Sequence, residues 1–165
     1  MFERILVAVD GSAPAKRAFD LALDVAKAQK AKLYALHVID ERALGIGLVA
    51  SGYVAPAYVE GLIDGLRKVG KKILVGVQRR AKASGQPMEA LLIESLGGDV
   101  AHTILAQARK VKADLIVLGT HGRRGVARIV MGSDTETVVR EANVPVLLAR
   151  TFVRKKAAPR GRRRR

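Results

Sequence analysis

The sequence predicts an α/β domain, a single doubly wound five-stranded parallel sheet with helices on both faces, and three observations predict it. Five short runs rich in Val, Ile and Leu recur with little polar alternation, the pattern of strands buried on both faces. The stretches between them repeat apolar residues with helical period. The chain has 165 residues, 49% hydrophobic and 27% charged, which is the length of one domain and the composition of a globular one. Strands alternating with helices build parallel sheets through right-handed crossovers.

Taken in order, the first strand is Ile5 to Val9. Ser12 followed by Pro14 reads as a helix cap with proline in the first turn, so Ser12 is structural. Phe19, Ala22, Leu23 and Ala26, at i, i+3, i+4 and i+7, form the buried face of the first helix. Leu33 to Ile39 is the second strand. Residues 41–57 form a Gly-rich, apolar connection longer than usual, and it reads equally well as a lid or contact surface and as a linker. Leu62, Leu66, Val69, Ile73 and Val77 mark the stripe of the second helix. Gly61, Gly65, Gly70 and Gly76 weaken it by ~1 kcal/mol each. Ala90 to Ile93 is the third strand, and Asp99 caps a third helix, Val100 to Val111, that buries Ile104, Leu105, Ala108 and Val111. Leu115 to Leu118 is the fourth strand, a fourth helix runs from Ser133 to Ala142, and Val144 to Ala149 is the last strand. Pro145 cannot donate to a ladder, which places that strand at an edge.

Charge is the unusual term, with 30 Lys+Arg against 15 Asp+Glu and a net +15. Residues 154–165 hold eight bases and no acid, so residues 1–150 carry +7. The chain therefore divides into a domain over 1–150 and a basic, disordered tail over 151–165. The tail reads either as a solvated appendage or as a nonspecific contact for nucleic acid or another polyanion. The absence of Trp and an aromatic content of 4% argue against a stacking platform for single strands. The absence of cysteine excludes disulfides and thiolate chemistry and fits a cytoplasmic location. No apolar run approaches the ~20 residues of a membrane span.

In a doubly wound sheet, ligands bind beyond the carboxyl ends of the strands where the winding reverses. Two strand ends carry suitable loops. Asp10 in Asp10-Gly11-Ser12 can accept from an adenine amino group or a ribose hydroxyl, or can simply order the turn. After the fourth strand, Gly119 and Gly122 let backbone amides approach an anion. Gly132-Ser133 then opens a helix whose first turn favours phosphate, with Ser133 available as its cap. Arg123, Arg124 and Arg128 lie between, with no acid before Asp134, which suits a polyphosphate; a Gly-rich surface turn with solvated arginines is the plainer alternative. Other motifs fail: the sequence lacks G-x-x-x-x-G-K-[ST], a G-x-G-x-x-G first turn and a G-x-S-x-G elbow. His37 reads as strand packing, His102 as helix surface, and only His121 lies in the candidate loop, which is too scattered for a metal site.

The run Gly119-x2-Gly122-x9-Gly132-Ser133 follows Arg4-Ile5-Leu6-Val7-Ala8-Val9-Asp10-Gly11-Ser12 and precedes Asn143-Val144-Pro145-Val146-Leu147-Leu148. Together they resemble the ATP-binding branch of the universal stress protein family over residues 1–150. The resemblance implies strand order 3-2-1-4-5, with the switch point between the first and fourth strands. It implies ATP as ligand, with Mg2+ held mainly by phosphate oxygens, and a regulatory, stress-response homodimer paired through Val144 to Ala149. By position, Ala8, Asp10 and Val38 would line adenine and ribose, and Leu118 and Gly119 would close the far side. The amides of Gly119, Thr120, His121, Gly122 and Arg123, with Gly132, Ser133 and Asp134, would hold the phosphates. Asp134 departs from the small or apolar residue frequent there: it could repel phosphate, reach the magnesium, or act as a favourable charge in a helix's first turn. A weak ATPase or phosphotransferase in the same pocket is the alternative, with His121, Asp134 or Glu136 as its only candidate bases or water-orienting groups.

Overall fold

A computed structural model describes residues 1–40, 56–95, 99–120 and 132–150. The elements are β1 (Arg4–Ala8), α1 (Ala13–Gln29), β2 (Lys32–Asp40), α2 (Pro56–Ala83), β3 (Met88–Ser95), α3 (Val100–Lys110), β4 (Leu115–Gly119), α4 (Ser133–Glu141) and β5 (Val146–Ala149). The strands pair in parallel in the order β3-β2-β1-β4-β5. This is the expected fold. The winding runs from β1 outward to β3 and then resumes on the other side of β1 with β4, which fixes the reversal between β1 and β4.

Alternation along the strands separates two cores. Ile5, Val7, Leu33, Ala35, Leu115 and Val117 point to one face and pack with Phe19, Ala22 and Ala26 of α1 and Leu74, Val77 and Ala81 of α2. Leu6, Tyr34, Leu36, Ile116 and Leu118 point to the other, beneath Ile104, Leu105 and Ala108 of α3 and Val138 of α4. Strands covered on both sides have no polar face, which is why the runs lack alternation.

The structure corrects two boundaries and the phase of one helix. β5 begins at Val146, because Pro145 has no N–H for the ladder; its carbonyl instead accepts from the Ile116 amide at 3.0 Å. The strand does lie at an edge. Pro56 and Ala57, assigned above to the connection, already belong to α2, and the rest of that segment, 41–55, lies outside the described residues. The buried stripe of α2 is also rotated from the expected one. Val69 is 45% exposed, and Gly70 is the residue that faces the sheet, in line with Leu74, Val77 and Ala81. A Cβ at Gly70 would sit 2.6 Å from His37 Cδ2 and 2.7 Å from Leu92 Cδ1, so the helix reaches the sheet here only because there is no side chain. Gly61, Gly65 and Gly76 face open space, and the helix runs through all four glycines.

At the amino end of the sheet the chain satisfies itself. Asp114 accepts from the amides of Glu3 (2.7 Å) and Arg4 (3.0 Å), which clamps the start of β1 to the start of β4. Gln86, buried, donates to the Ala31 carbonyl at 2.8 Å.

Candidate functional site

The first loop at the carboxyl end is built by its own side chains. The Asp10 carboxylate accepts from the Ser12 amide at 2.9 Å, and Gly11 takes φ +83°, a left-handed conformation that favours glycine. Ser12 Oγ accepts from the Ala15 amide at 3.2 Å, capping α1 as its spacing with Pro14 predicts. Beside it, His37 is buried and its Nδ1 lies 2.6 Å from the Val9 carbonyl, tying β2 to the end of β1. A ring nitrogen this close to a carbonyl must carry the proton, so His37 is a packing residue, as expected.

The second loop hangs from the end of β4. Gly119 lies against the first turn of α1: a Cβ there would meet the Pro14 carbonyl carbon at 2.8 Å and the Ala15 nitrogen at 3.0 Å. The need for glycine at 119 thus comes from helix packing. The Thr120 amide donates to the Ala149 carbonyl, and the Gly132 amide donates to the Thr120 carbonyl, both at 3.1 Å. The flanking residues Thr120 and Gly132 are therefore joined directly by one hydrogen bond. Thr135, buried on the inward face of α4, donates its hydroxyl to the Gly119 carbonyl at 3.2 Å and sets the helix over the end of β4.

One expected role changes. The cap of α4 is Gly132 (φ −64°, ψ 144°), not Ser133, so the cap residue itself offers no side-chain acceptor. The bond from the Glu136 amide to the Gly132 carbonyl (2.9 Å) starts the helix one residue earlier, because the Thr120 and Thr135 contacts fix where the turn can begin. Ser133 is exposed in the first turn, with Asp134 and Glu136 beside it. A helix whose cap residue offers no side-chain acceptor suits an anion; the two carboxylates compete for the same positive end.

Of the expected site residues, Ala8, Val38 and Leu118 share the face beneath α3 and α4. Asp10 stands just past β1, and Gly119, Thr120, Gly132, Ser133 and Asp134 gather where β4 hands over to α4. His121, Gly122, Arg123, Arg124 and Arg128 lie outside the described residues. Thr135 escapes the motif reading, although its spacing of three from Val138 places it on the inward face. Away from the site, His102 behaves as a helix-surface residue. It stands between Asp99 (2.5 Å) and Glu141 (3.0 Å), and these carboxylates, Asp99 foremost, raise its pKa above the ordinary 6.5. Among the described residues there is no group of three or more His, Cys, Asp or Glu able to hold a metal, and no helix is long and apolar enough to cross a membrane.

The family model described as the universal stress protein family matches residues 1–150. Universal stress protein YxiE of Bacillus subtilis is 33% identical over 151 residues, covering 91% of this chain and 100% of the relative. Among solved structures, universal stress protein UspA from Lactobacillus plantarum superposes with a TM-score of 0.72 at 30% identity, over 90% of this chain and 97% of that one. A universal stress protein solved in complex with cAMP superposes with a TM-score of 0.63 at 26% identity, over 92% and 98%.

Proposed function

The chain belongs to the universal stress protein family, and from that membership we propose that it binds an adenine nucleotide, ATP, at the carboxyl edge of its sheet as a regulatory, stress-response protein. The observation that carries the proposal is the convergence at the switch point. Ala8, Val38 and Leu118 lie on one face at the carboxyl ends of β1, β2 and β4, and α4, capped by Gly132, is tied to the end of β4. The cAMP complex of a relative supports a cyclic or linear adenylate there.

In this reading Ala8 and Val38 offer an apolar wall to adenine, Asp10 accepts from the base or the ribose, and Leu118 and Gly119 close the far side. The amides of Gly119, His121, Gly122 and Arg123 and the first turn of α4 at Ser133 and Asp134 hold the phosphates, while the Thr120 and Gly132 amides, already bonded to the Ala149 and Thr120 carbonyls, position that turn instead of donating to the ligand. ATP would supply the phosphate oxygens that bind Mg2+. The assembly is a homodimer paired through β5, a short edge strand whose Val146, Leu147 and Leu148 are only half-buried. The setting is cytoplasmic, and the basic tail makes nonspecific polyanion contact.

The test is to purify the full chain, denature it and identify the released small molecules by mass. ATP or another adenylate in near-stoichiometric amount is the expected result. Protein that carries none and takes up none on incubation with ATP would overturn the reading.

A further inference from the structure

The excess positive charge of the folded residues is concentrated on one helix. α2 carries seven basic and two acidic residues, a net of +5 within a domain of +7, and all seven bases fall in residues 67–82, where there is no acid. Two of them are committed. Arg67 is held by Glu60 (2.7 Å), Asp64 (2.8 Å) and Glu94 (2.7 Å), and Arg80 pairs with Asp20. The other five, Lys68, Lys71, Lys72, Arg79 and Lys82, are all exposed and have no acidic partner among the described residues. At helical spacing they occupy a band of about 100° of the circumference and ~21 Å of axis, with half-exposed Val75 in its middle. The buried line of Gly70, Leu74, Val77 and Ala81 is on the opposite side of the helix.

We infer that this stripe docks on the phosphate backbone of double-stranded DNA. A row of unpaired bases with no acid among them is complementary to a dense polyanion, on which neutralised phosphates release their counterions. An anionic membrane fits less well, because a helix that lies in a bilayer surface inserts its apolar face, and that of α2 is already buried against the sheet. Single strands fit less well, because the stripe has no aromatic ring on which an unpaired base could stack. A continuous helix with fixed spacing suits the rigid, regular phosphate rows of a duplex. The major groove of B-form DNA admits a helix, whereas that of A-form RNA is deep and narrow. Four lysines and one arginine provide charge rather than base-edge readout, so the contact is sequence-independent. The stripe also lies on the face of the sheet opposite Ala8, Val38 and Leu118, so nucleotide and DNA occupy separate surfaces.

The experiment is fluorescence anisotropy of a short mixed-sequence DNA duplex titrated with full-length protein across a range of KCl. Each phosphate contact contributes ~0.9 to the slope of log affinity against log salt. The joint variant Lys68→Gln, Lys71→Gln, Lys72→Gln, Arg79→Gln and Lys82→Gln should bind ~10-fold or more weakly, with a slope shallower by ~3 or more. Replacing the four lysines by Arg should retain binding. The Gln effect should persist in a full-length chain whose eight tail bases are also Gln, which separates the stripe from the tail. Unchanged affinity and slope in the stripe variant would overturn the inference. So would a parent protein that ignores the duplex, or one that binds phosphatidylserine vesicles instead. None of these outcomes depends on whether ATP binds.

Discussion

The two ends of the sheet are made from the same five strands, yet they spend their polar groups differently. At the amino end, side chains answer the backbone: Asp114 takes the amides of Glu3 and Arg4, and Gln86 reaches the Ala31 carbonyl. At the carboxyl end, Asp10 and Ser12 order the first turn, while the end of β4 and the start of α4 are joined by backbone bonds and the Thr135 hydroxyl. Thr120 bonds to Ala149, Gly132 to Thr120, and the cap of α4 has no side chain at all. The first end is closed by its own sequence. The second is held in shape around a helix whose cap residue offers no side-chain acceptor, which suits the ligand-binding role proposed for it. On that proposal, stability and function fall to opposite ends of one sheet.

The largest expected effect is an exception that sharpens this division. Gly119 belongs to the carboxyl end, but a side chain there collides with the backbone of Pro14 and Ala15, which cannot swing aside. Gly119→Val should therefore cost about 3 kcal/mol of stability in urea denaturation, the upper range for overpacking a tight contact. Next, Asp114→Ala should lower stability by about 1–2 kcal/mol, because two backbone donors lose their acceptor, while leaving nucleotide affinity unchanged. A parallel fall in ATP affinity would break the division between the two ends. Ser12→Ala removes the cap of α1 and should cost ~1 kcal/mol by thermal melting.

The smallest effect is a pH dependence. His102 gains two carboxylate partners on folding, so its folded pKa is raised above 6.5. The stabilisation is fully present below pH 6.5 and is lost as pH rises through the raised value. His102→Gln should flatten the slope of melting temperature against pH above pH 6.5. The residue is exposed, so the change is small. An identical slope in the variant would show that the link contributes nothing.

Most of the fold was legible because burial on both faces removes alternation, and this signal survives in single runs such as Leu115 to Leu118. The order of the strands was available only through the family resemblance, since periodicity says nothing about which strands are neighbours. What failed was local phase. Val69 looked like part of the buried stripe because apolar residues are assumed to face inward. The phase of α2 is instead set by Gly70 settling on His37, an approach that the absence of a side chain permits and no hydrophobic pattern records. Ser133 looked like a cap because of its type, but the cap position is fixed by the distant partners Thr120 and Gly119. Gly119 was legible as a glycine that matters, and the structure adds a reason no motif carries, its close packing against the first turn of α1.

The proposed function has the carboxyl edge bind ATP with the help of Gly122, which lies in the sequence between Thr120 and Gly132. Isothermal titration of the full chain with ATP in the presence of magnesium tests it most directly, using Gly122→Val as the site variant and Asp114→Ala as the amino-end control. Saturable binding is expected for the parent and for Asp114→Ala, and none for a folded Gly122→Val. Unchanged affinity in Gly122→Val, or no binding by the parent, would contradict it.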